Sequence, residues 1–132
     1  VIDDPSADAS KVKHIVFCNG KLYWEMAKVK QENSKDDVAI VRIEQLYPFP
    51  EKQLHELLKK YSKATRFVWA QEEPENMGAW GFVLRKFKGV NLEVVSRKES
   101  ASPATASPSQ HASQQDYIIK KSLDMQPEME PA

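Results

Sequence analysis

The sequence predicts an α/β fold, in which a mostly parallel β-sheet is covered by helices on both faces. Three observations support this fold class. Short apolar runs alternate along the chain with segments that have helical spacing. The connections between these segments are short, as in βαβ units. No internal repeat interrupts the alternation. We therefore expect one domain in which right-handed crossovers place the carboxyl ends of the strands along one edge.

Four segments are predicted as β-strands because each is short and rich in β-branched or aromatic residues. They are residues 14–18, 38–43, 66–70 and 92–95. The second strand contains Arg42 near its end and runs into a turn with Pro48 and Pro50. A buried strand that delivers an arginine to its carboxyl end is typical of ligand sites in open α/β sheets.

Four segments show the apolar spacing of amphipathic helices. The first is predicted over residues 21–33 and the second directly after Pro50, since proline favours a helix start. The third covers residues 80–87, and a closing helix covers residues 110–123. The apolar stripe of the first helix consists of Leu22, Met26 and Val29, and that of the second of Leu54, Leu57, Leu58 and Tyr61. The stripe of the third helix consists of Trp80, Val83, Leu84 and Phe87, and that of the closing helix of Ile118, Ile119 and Leu123.

The chain divides into three parts by pattern. Residues 1–13 are polar and patternless, so we expect a linker from an upstream region. Residues 14–123 form the domain, and residues 124–132 form a flexible tail, because they contain two prolines and no periodicity. The chain begins at Val1 and not at methionine, so we expect a piece of a longer protein. The uncharged Ser/Pro-rich stretch at 100–110 is either a flexible linker or an ordered functional loop, and the helix predicted after it favours order.

Composition excludes several classes of function. Nineteen basic and 19 acidic residues give a formal net charge of +0, so the chain lacks the basic surface of a nucleic-acid binder and the polybasic segment of a membrane anchor. The single cysteine, Cys18, excludes an internal disulfide. Together with the lack of a signal-peptide pattern, this predicts a reducing compartment. Cys18 lies in an apolar run, so a buried, inert thiol is favoured over a nucleophile.

The chain also lacks the motifs of common catalytic sites. It contains no Gly-rich phosphate loop, no Cys/His metal spacing and no Gly-x-Ser-x-Gly turn. The three histidines, His14, His55 and His111, lie in separate segments, and surface or capping roles are favoured for them. The sequence therefore predicts no catalytic residues and no metal ligands in this chain.

Charged and polar residues do collect at the predicted strand ends. If the sheet is parallel, these residues meet at one edge: Asn19, Gly20, Lys21, Arg42, Gln71, Glu72, Glu73, Arg97 and Lys98. Gly20 permits close backbone approach where a helix begins, and helix starts attract anions. Arginine and lysine could add contacts to a phosphate. The alternative is an ionic rim in which the cations pair with Glu44, Glu72 and Glu73, and the spacing alone does not separate the two.

Glu72 and Glu73 are adjacent carboxylates, but adjacent residues of a strand point to opposite faces of the sheet. They cannot easily share a proton, so an interface or structural role is favoured over acid–base catalysis. Trp80 lies on a predicted helix face between Gly78 and Gly81, where a core or subunit contact is the default.

Four runs of the chain resemble one known family. They are residues 17–23 (FCNGKLY), 38–50 (VAIVRIEQLYPFP), 68–80 (VWAQEEPENMGAW) and 96–105 (SRKESASPAT). In this order they are similar to the carboxyl-terminal domain of the decarboxylating first component of the 2-oxoglutarate dehydrogenase complex. The resemblance covers nearly the whole chain, from about Val1 to Leu123.

The resemblance implies a transketolase-type, Rossmann-like domain with about five strands, of which one can be antiparallel. It also implies a parent homodimer that depends on thiamine diphosphate and magnesium. In the citric acid cycle, such a parent decarboxylates 2-oxoglutarate and passes the succinyl group to the lipoyl-bearing succinyltransferase. The cofactor motif lies in the upstream domains of this family, so no cofactor is expected in this domain and the piece alone is expected to be inactive. The compartment would be the bacterial cytoplasm, or the mitochondrial matrix in a eukaryote.

Some members of this family bind a nucleotide-type effector, AMP or acetyl-CoA, in this domain near the dimer interface. By motif, the corresponding contacts here are Asn19, Arg42, Gln71, Ser96, Arg97 and Lys98. Many relatives have Ser or Thr in place of Asn19 and Arg-Arg in place of Arg97-Lys98, and lysine lacks the bidentate fork of arginine. Glu72, Glu73 and Trp80 are the expected interface residues. The alternative is a purely structural dimerisation module without a ligand site.

Overall fold

The computed structural model describes residues 1–97 and 108–127, with side chains from residue 111 onward in the second segment. Strands and helices alternate along the chain. The elements are β1 (His14–Cys18), α1 (Leu22–Glu32), β2 (Val38–Arg42), α2 (Glu51–Lys60), β3 (Arg66–Pro74), α3 (Trp80–Lys86), β4 (Leu92–Arg97) and α4 (Pro108–Ser122). The predicted α/β fold class is confirmed, and each predicted element is present within a few residues of its expected bounds.

The four strands form one sheet in the order β2-β1-β3-β4, and every strand pairing is parallel. His14 of β1 is in register with Val38 of β2 on one side and with Arg66 of β3 on the other. All five residues of β1 are buried, as expected for the centre of a parallel sheet covered on both faces.

The strand count differs from the expectation. The resemblance implied about five strands, and the described part of the chain contains four. At the open edge of β2 there is only an isolated antiparallel bridge, between Ile2 and Arg42. Two residues further back along β2, the Ile40 N–H donates to the Asp4 carboxylate at 2.9 Å and not to a backbone carbonyl. Because a side chain replaces the next backbone partner, residues 1–4 cover this edge without forming a strand.

Two apolar clusters, one on each face of the sheet, form the core. Alternate residues of the strands point to opposite faces, so Val16 packs with α1 and α4, whereas Ile15 and Phe17 pack with α2 and α3. The helices therefore cover both faces, as predicted. In α3 the apolar stripe is narrower than its spacing suggested, because Val83 is buried while Leu84 is 50% exposed.

Residues 1–13, expected to be a linker, lie against the domain. Val12 is fully buried, and the Lys30 ammonium donates to the Asp4 carboxylate at 2.7 Å. Burial alone would raise the pKa of Asp4, but hydrogen bonds from Lys30, the Ile40 N–H and Ser6 outweigh it and hold the pKa below 3.8. This buried ion pair attaches the amino-terminal segment to α1 and β2. In the expected tail, Asp124 forms an ion pair with Arg66 at 3.1 Å, and residues 128–132 lie outside the described part, as does the stretch at 98–107.

His14 is a buried titratable group at the amino-terminal end of β1. It is 4% exposed, and neither ring nitrogen has a hydrogen-bond partner. Burial, with a smaller contribution from the Arg66 charge, lowers the pKa of His14 from 6.5 to about 4. The folded protein thus keeps this imidazole neutral at a pH where the unfolded chain takes up a proton.

We expect the free energy of unfolding to decrease as the pH is lowered from 6.5 to 4. In this window the unfolded state binds the His14 proton and the folded state does not, so the loss reaches about 3 kcal/mol at the lower limit. Urea denaturation at a series of pH values measures it, and His14→Phe should flatten the slope. His55→Phe, on the surface of α2, is the matched control and should leave the His14 slope in place. An unchanged slope in His14→Phe would contradict this assignment.

Candidate functional site

The carboxyl ends of the four strands lie along one edge of the sheet, because all of them are parallel. This edge brings together most of the predicted contact residues. Asn19 and Gly20 follow β1, Arg42 ends β2, Gln71 lies in β3, and Ser96 and Arg97 end β4. Lys98 lies outside the described residues. The juxtaposition follows from topology, but the partners of each side chain differ.

Arg42 is the most strongly positioned cation of this edge. Its guanidinium carbon lies 4.4 Å from the centroid of the Tyr23 ring and 5.2 Å from that of Trp24. The side chain is only 19% exposed, and its Nη1 lies 3.8 Å from the Glu44 carboxylate. Its Nε is buried and has no hydrogen-bond partner. The aromatic faces hold the guanidinium in place, so its terminal nitrogens can bind an anion at low reorganisation cost, whereas the buried Nε is out of reach of a ligand.

Glu44 is the anionic partner of two donors at this edge. Its carboxylate accepts a 3.3 Å hydrogen bond from the backbone N–H of Gly20 and pairs with Arg42. Gly20 has φ +65°, a left-handed conformation that glycine adopts without strain. The two donors are therefore arranged for one anionic group, and in the structure a side chain of the same protein provides it. The ion pair of Arg42 and Glu44 is partly exposed and 3.8 Å long, so it contributes little to stability and another anion can replace Glu44.

Gln71 has no free hydrogen-bonding capacity. It is 4% exposed, and its carbonyl oxygen accepts from the Trp69 indole at 2.9 Å and from the Trp80 N–H at 3.1 Å. Its amide nitrogen donates to the carbonyls of Glu73, Pro74 and Met77. The side chain thus connects β3 to the turn before α3. Ligand contact by Gln71 stays a prediction, and it would require breaking one of these bonds.

Arg97 reaches the edge from β4 and contacts α4. One of its terminal nitrogens forms a hydrogen bond with His111 Nδ1, while its Nε is buried without a partner. The Ser96 hydroxyl donates to the carbonyl of Arg97 at 3.2 Å. His111 was expected on the surface, and it is exposed, but its partnership with Arg97 was not foreseen.

An acidic group lies at the same edge, between α1, β3 and α4. The Gln115 amide donates to Glu25 at 2.7 Å and to Glu72 at 2.9 Å. Lys21 pairs with Glu72 at 3.5 Å. The ionic rim suggested by the sequence is therefore present in two pairs, Arg42 with Glu44 and Lys21 with Glu72. Of the expected interface residues, Glu72 and Trp80 are half-buried and Glu73 is exposed.

Four residues at this edge were missed by the sequence analysis: Trp24, Glu25, His111 and Gln115. Trp24 and Glu25 fell outside the apolar stripe of α1, so the pattern indicated no role for them. The aromatic pair Tyr23-Trp24, three residues after Gly20, was the one available signal.

Cys18 is not available as a nucleophile, as the sequence suggested. Burial raises the pKa of the Cys18 thiol to about 12, so it stays protonated and unreactive at neutral pH. Within the described ranges no group of three or more His, Cys, Asp or Glu side chains could hold a metal ion. A cavity of about 440 Å³ lies away from the strand ends, between residues 4–6 and α1, and it meets the edge only at Tyr23. None of the described helices combines the length and the apolar character needed to cross a membrane.

Comparison with known proteins gives a consistent result. Residues 1–123 match the family described as 2-oxoglutarate dehydrogenase C-terminal. The chain is 40% identical to the 2-oxoglutarate dehydrogenase E1 component of Rickettsia felis over 95% of its length. It is 41% identical to the protein of that name from Cupriavidus necator and 40% identical to that from Haemophilus influenzae, over 89% and 88% of the chain. The matched part is only 13–14% of the length of these relatives.

Among solved structures, a protein described as "Split gene transketolase, inactive beta4 tetramer" superposes with a TM-score of 0.58. The superposition covers 86% of this chain and 37% of the other, at 18% sequence identity. At that identity the likeness concerns the fold alone, and it agrees with the transketolase-type domain that the sequence resemblance implied.

We expect Gln71→Ala to lower the free energy of unfolding by about 3 kcal/mol, because it leaves several buried donors and acceptors unpaired at once. Urea denaturation measures the change, and the indole N–H resonance of Trp69 should move in the same variant. Gln53→Ala, on the exposed face of α2, is the control and should change stability by less than about 0.5 kcal/mol. Equal stability of the two variants would show that the hydrogen bonds of Gln71 do not hold this turn.

Proposed function

The chain belongs to the 2-oxoglutarate dehydrogenase C-terminal family, and from this membership we propose that it is the carboxyl-terminal domain of a 2-oxoglutarate dehydrogenase E1 component. The parent enzyme decarboxylates 2-oxoglutarate and transfers the succinyl group to the lipoyl arm of a succinyltransferase partner. The observation that carries this proposal is the match over residues 1–123 together with about 40% identity to named E1 components. We further propose a parent homodimer in a reducing compartment, the bacterial cytoplasm, since the relatives named above are bacterial.

The parent chemistry requires thiamine diphosphate and magnesium, and the described residues of this domain do not fit that pair. Magnesium prefers carboxylate, carbonyl and water oxygens, together with the phosphates of its ligand. The acidic side chains at the strand edge, Glu25, Glu44 and Glu72, are engaged by Gln115, Arg42 and Lys21. We therefore propose that the cofactor is held by upstream domains and that this domain contributes no catalytic group.

The contribution we propose for this domain is a regulatory anion site at the carboxyl edge of the sheet, for a nucleotide-type effector such as AMP or acetyl-CoA. Arg42 supports this proposal, since its guanidinium is held by two aromatic rings and its ion pair with Glu44 is 3.8 Å long. Arg97 ends β4 at the same edge, and Asn19 is exposed. Ser96, Gln71 and Lys98 complete the set of contacts implied by the family motif.

Glu44 supports the same proposal because it is an anion bound at this edge. The Gly20 N–H and the Arg42 guanidinium already bind one carboxylate. We propose that an effector phosphate displaces Glu44 and takes over both donors, because a phosphate carries more charge and more acceptor oxygens. Glu44 then sets the affinity, since any ligand must compete with it.

A purely structural role remains the second candidate. It is favoured by the ion pairs Arg42–Glu44 and Lys21–Glu72, which would make an ionic rim at a dimer interface. In that case Glu72, Glu73 and Trp80 would contact a partner subunit, and Arg42 would support assembly without binding a ligand.

The enzymatic part of the proposal predicts turnover by the full-length protein that carries this domain. We expect it to consume 2-oxoglutarate when thiamine diphosphate and magnesium are present, and the 132-residue chain alone to show no turnover. Loss of 2-oxoglutarate in a coupled assay measures both. A full-length protein without turnover on 2-oxoglutarate, but with turnover on another 2-oxo acid, would reject the proposed substrate.

The regulatory part predicts opposite effects from Arg42→Ala and Glu44→Gln. Removing Arg42 should weaken AMP or acetyl-CoA binding by about tenfold or more, because a charge-assisted contact is lost. Neutralising Glu44 should tighten it by about two- to fivefold, because the internal competitor is removed. Amide-shift NMR of the domain, followed by calorimetry on the full-length protein, gives these affinities.

Arg85→Ala, an exposed cation on α3, is the matched control for loss of positive charge and should leave binding unchanged. If Arg42→Ala weakens the dimer while the effector affinity stays constant, the structural candidate is correct and the regulatory site is rejected.

A further inference from the structure

Trp24 is an exposed aromatic side chain next to the proposed anion site. It is 64% exposed, although tryptophan is usually well buried. Its ring lies 5.2 Å from the Arg42 guanidinium and packs edge-on against Tyr23, with 5.0 Å between the ring centroids. Tyr23 is buried, and Arg42 is mostly buried. The exposed indole is therefore held by two well-packed neighbours.

A fixed, solvent-exposed indole next to a cation is suited to a ligand that combines an aromatic ring with an anion. Stacking of a base on an aromatic side chain contributes to affinity without base-specific hydrogen bonds. The Arg42 guanidinium, which lies against this ring, and the Gly20 N–H are the donors that bind the Glu44 carboxylate. No bond has to be broken in Trp24 for a ring to stack on it, because the described contacts of the indole are ring contacts only.

We propose that Trp24 is the specificity-determining residue of this site and that the aromatic base of the effector stacks on its indole while the phosphate binds at Arg42. This inference rests on the proposed effector site and adds to it the residue that recognises the base. The site selects aromatic nucleoside phosphates over sugar phosphates that lack a base. The inference also assigns a role to Trp24, which is not among the contacts that the family motif implies.

The selection can be measured with two probes that differ only in the base, AMP and ribose 5-phosphate. Calorimetric titrations use the full-length protein that carries this domain, as wild type and as Trp24→Ala and Trp24→Phe. Tyr47→Ala is the matched control, because Tyr47 is an equally prominent exposed aromatic, 75% exposed, that packs on Phe82 of α3.

In the wild type we expect AMP to bind about tenfold more tightly than ribose 5-phosphate. Trp24→Ala should remove this preference by weakening AMP about tenfold, with the affinity for ribose 5-phosphate changed by less than about twofold. Trp24→Phe should recover part of the preference, since it keeps a flat aromatic face, and Tyr47→Ala should keep all of it.

Three outcomes would overturn the inference. If Trp24→Ala weakens both probes equally, Trp24 only positions Arg42. If both probes bind the wild type equally well, and Arg42→Ala weakens both, the anion site stands without a base-stacking residue. If neither probe binds the wild type, the effector site itself is absent and the role of Trp24 falls with it.

Discussion

The parallel pairing of β1 with both β2 and β3 is the constraint on which the rest of the structure depends. A parallel neighbour can be reached only through a crossover, so helices must follow the strands and cover both faces. Burial on both faces then favours apolar residues in β1, as observed from Ile15 to Cys18, whereas His14 at its start is a buried polar residue. The same direction of pairing puts the last residues of all four strands at one edge. A polar site can form there because the sheet provides no further apolar partner beyond its strand ends.

Charge compensation determines how this edge can function. Arg42 is paired with Glu44, and Lys21 with Glu72, so the charges of these two cations are balanced within the protein. A balanced edge attracts ligands only weakly at long range and depends on exchange of one anion for another at short range. Aromatic rings below Arg42 keep the guanidinium in position during such an exchange. In the proposed site, specificity then has to come from groups around the anion position, and this is the role we propose for the exposed indole of Trp24.

Edge protection explains the behaviour of the amino-terminal segment. An open strand edge exposes unpaired N–H and C=O groups. In this chain the edge of β2 is covered by the bridge from Ile2 and by the Asp4 carboxylate, whose charge is balanced by buried Lys30. The polar sequence of residues 1–13 is compatible with this packing, because polar side chains such as Asp4 make the contacts to the sheet and to α1. Its order depends on a buried ion pair, which becomes destabilising if either partner is lost.

The sequence by itself determined the fold class, because apolar periodicity reports directly which residues face the core. It placed the four strands and four helices, and it indicated that Asn19, Arg42, Gln71 and Arg97 would share one edge. Tertiary structure alone decided the partners of these residues. No partner of Gln71 could be read from the sequence, but in the fold its side chain makes hydrogen bonds with Trp69 and Pro74. Trp24 fell outside the apolar stripe of α1, but it lies beside Arg42. The described hydrogen bonds join residues up to 90 positions apart in the sequence. A local pattern of apolar residues carries no information on such pairings. Periodicity therefore predicts which way a residue faces, whereas only the packed sheet and helices decide what it meets there.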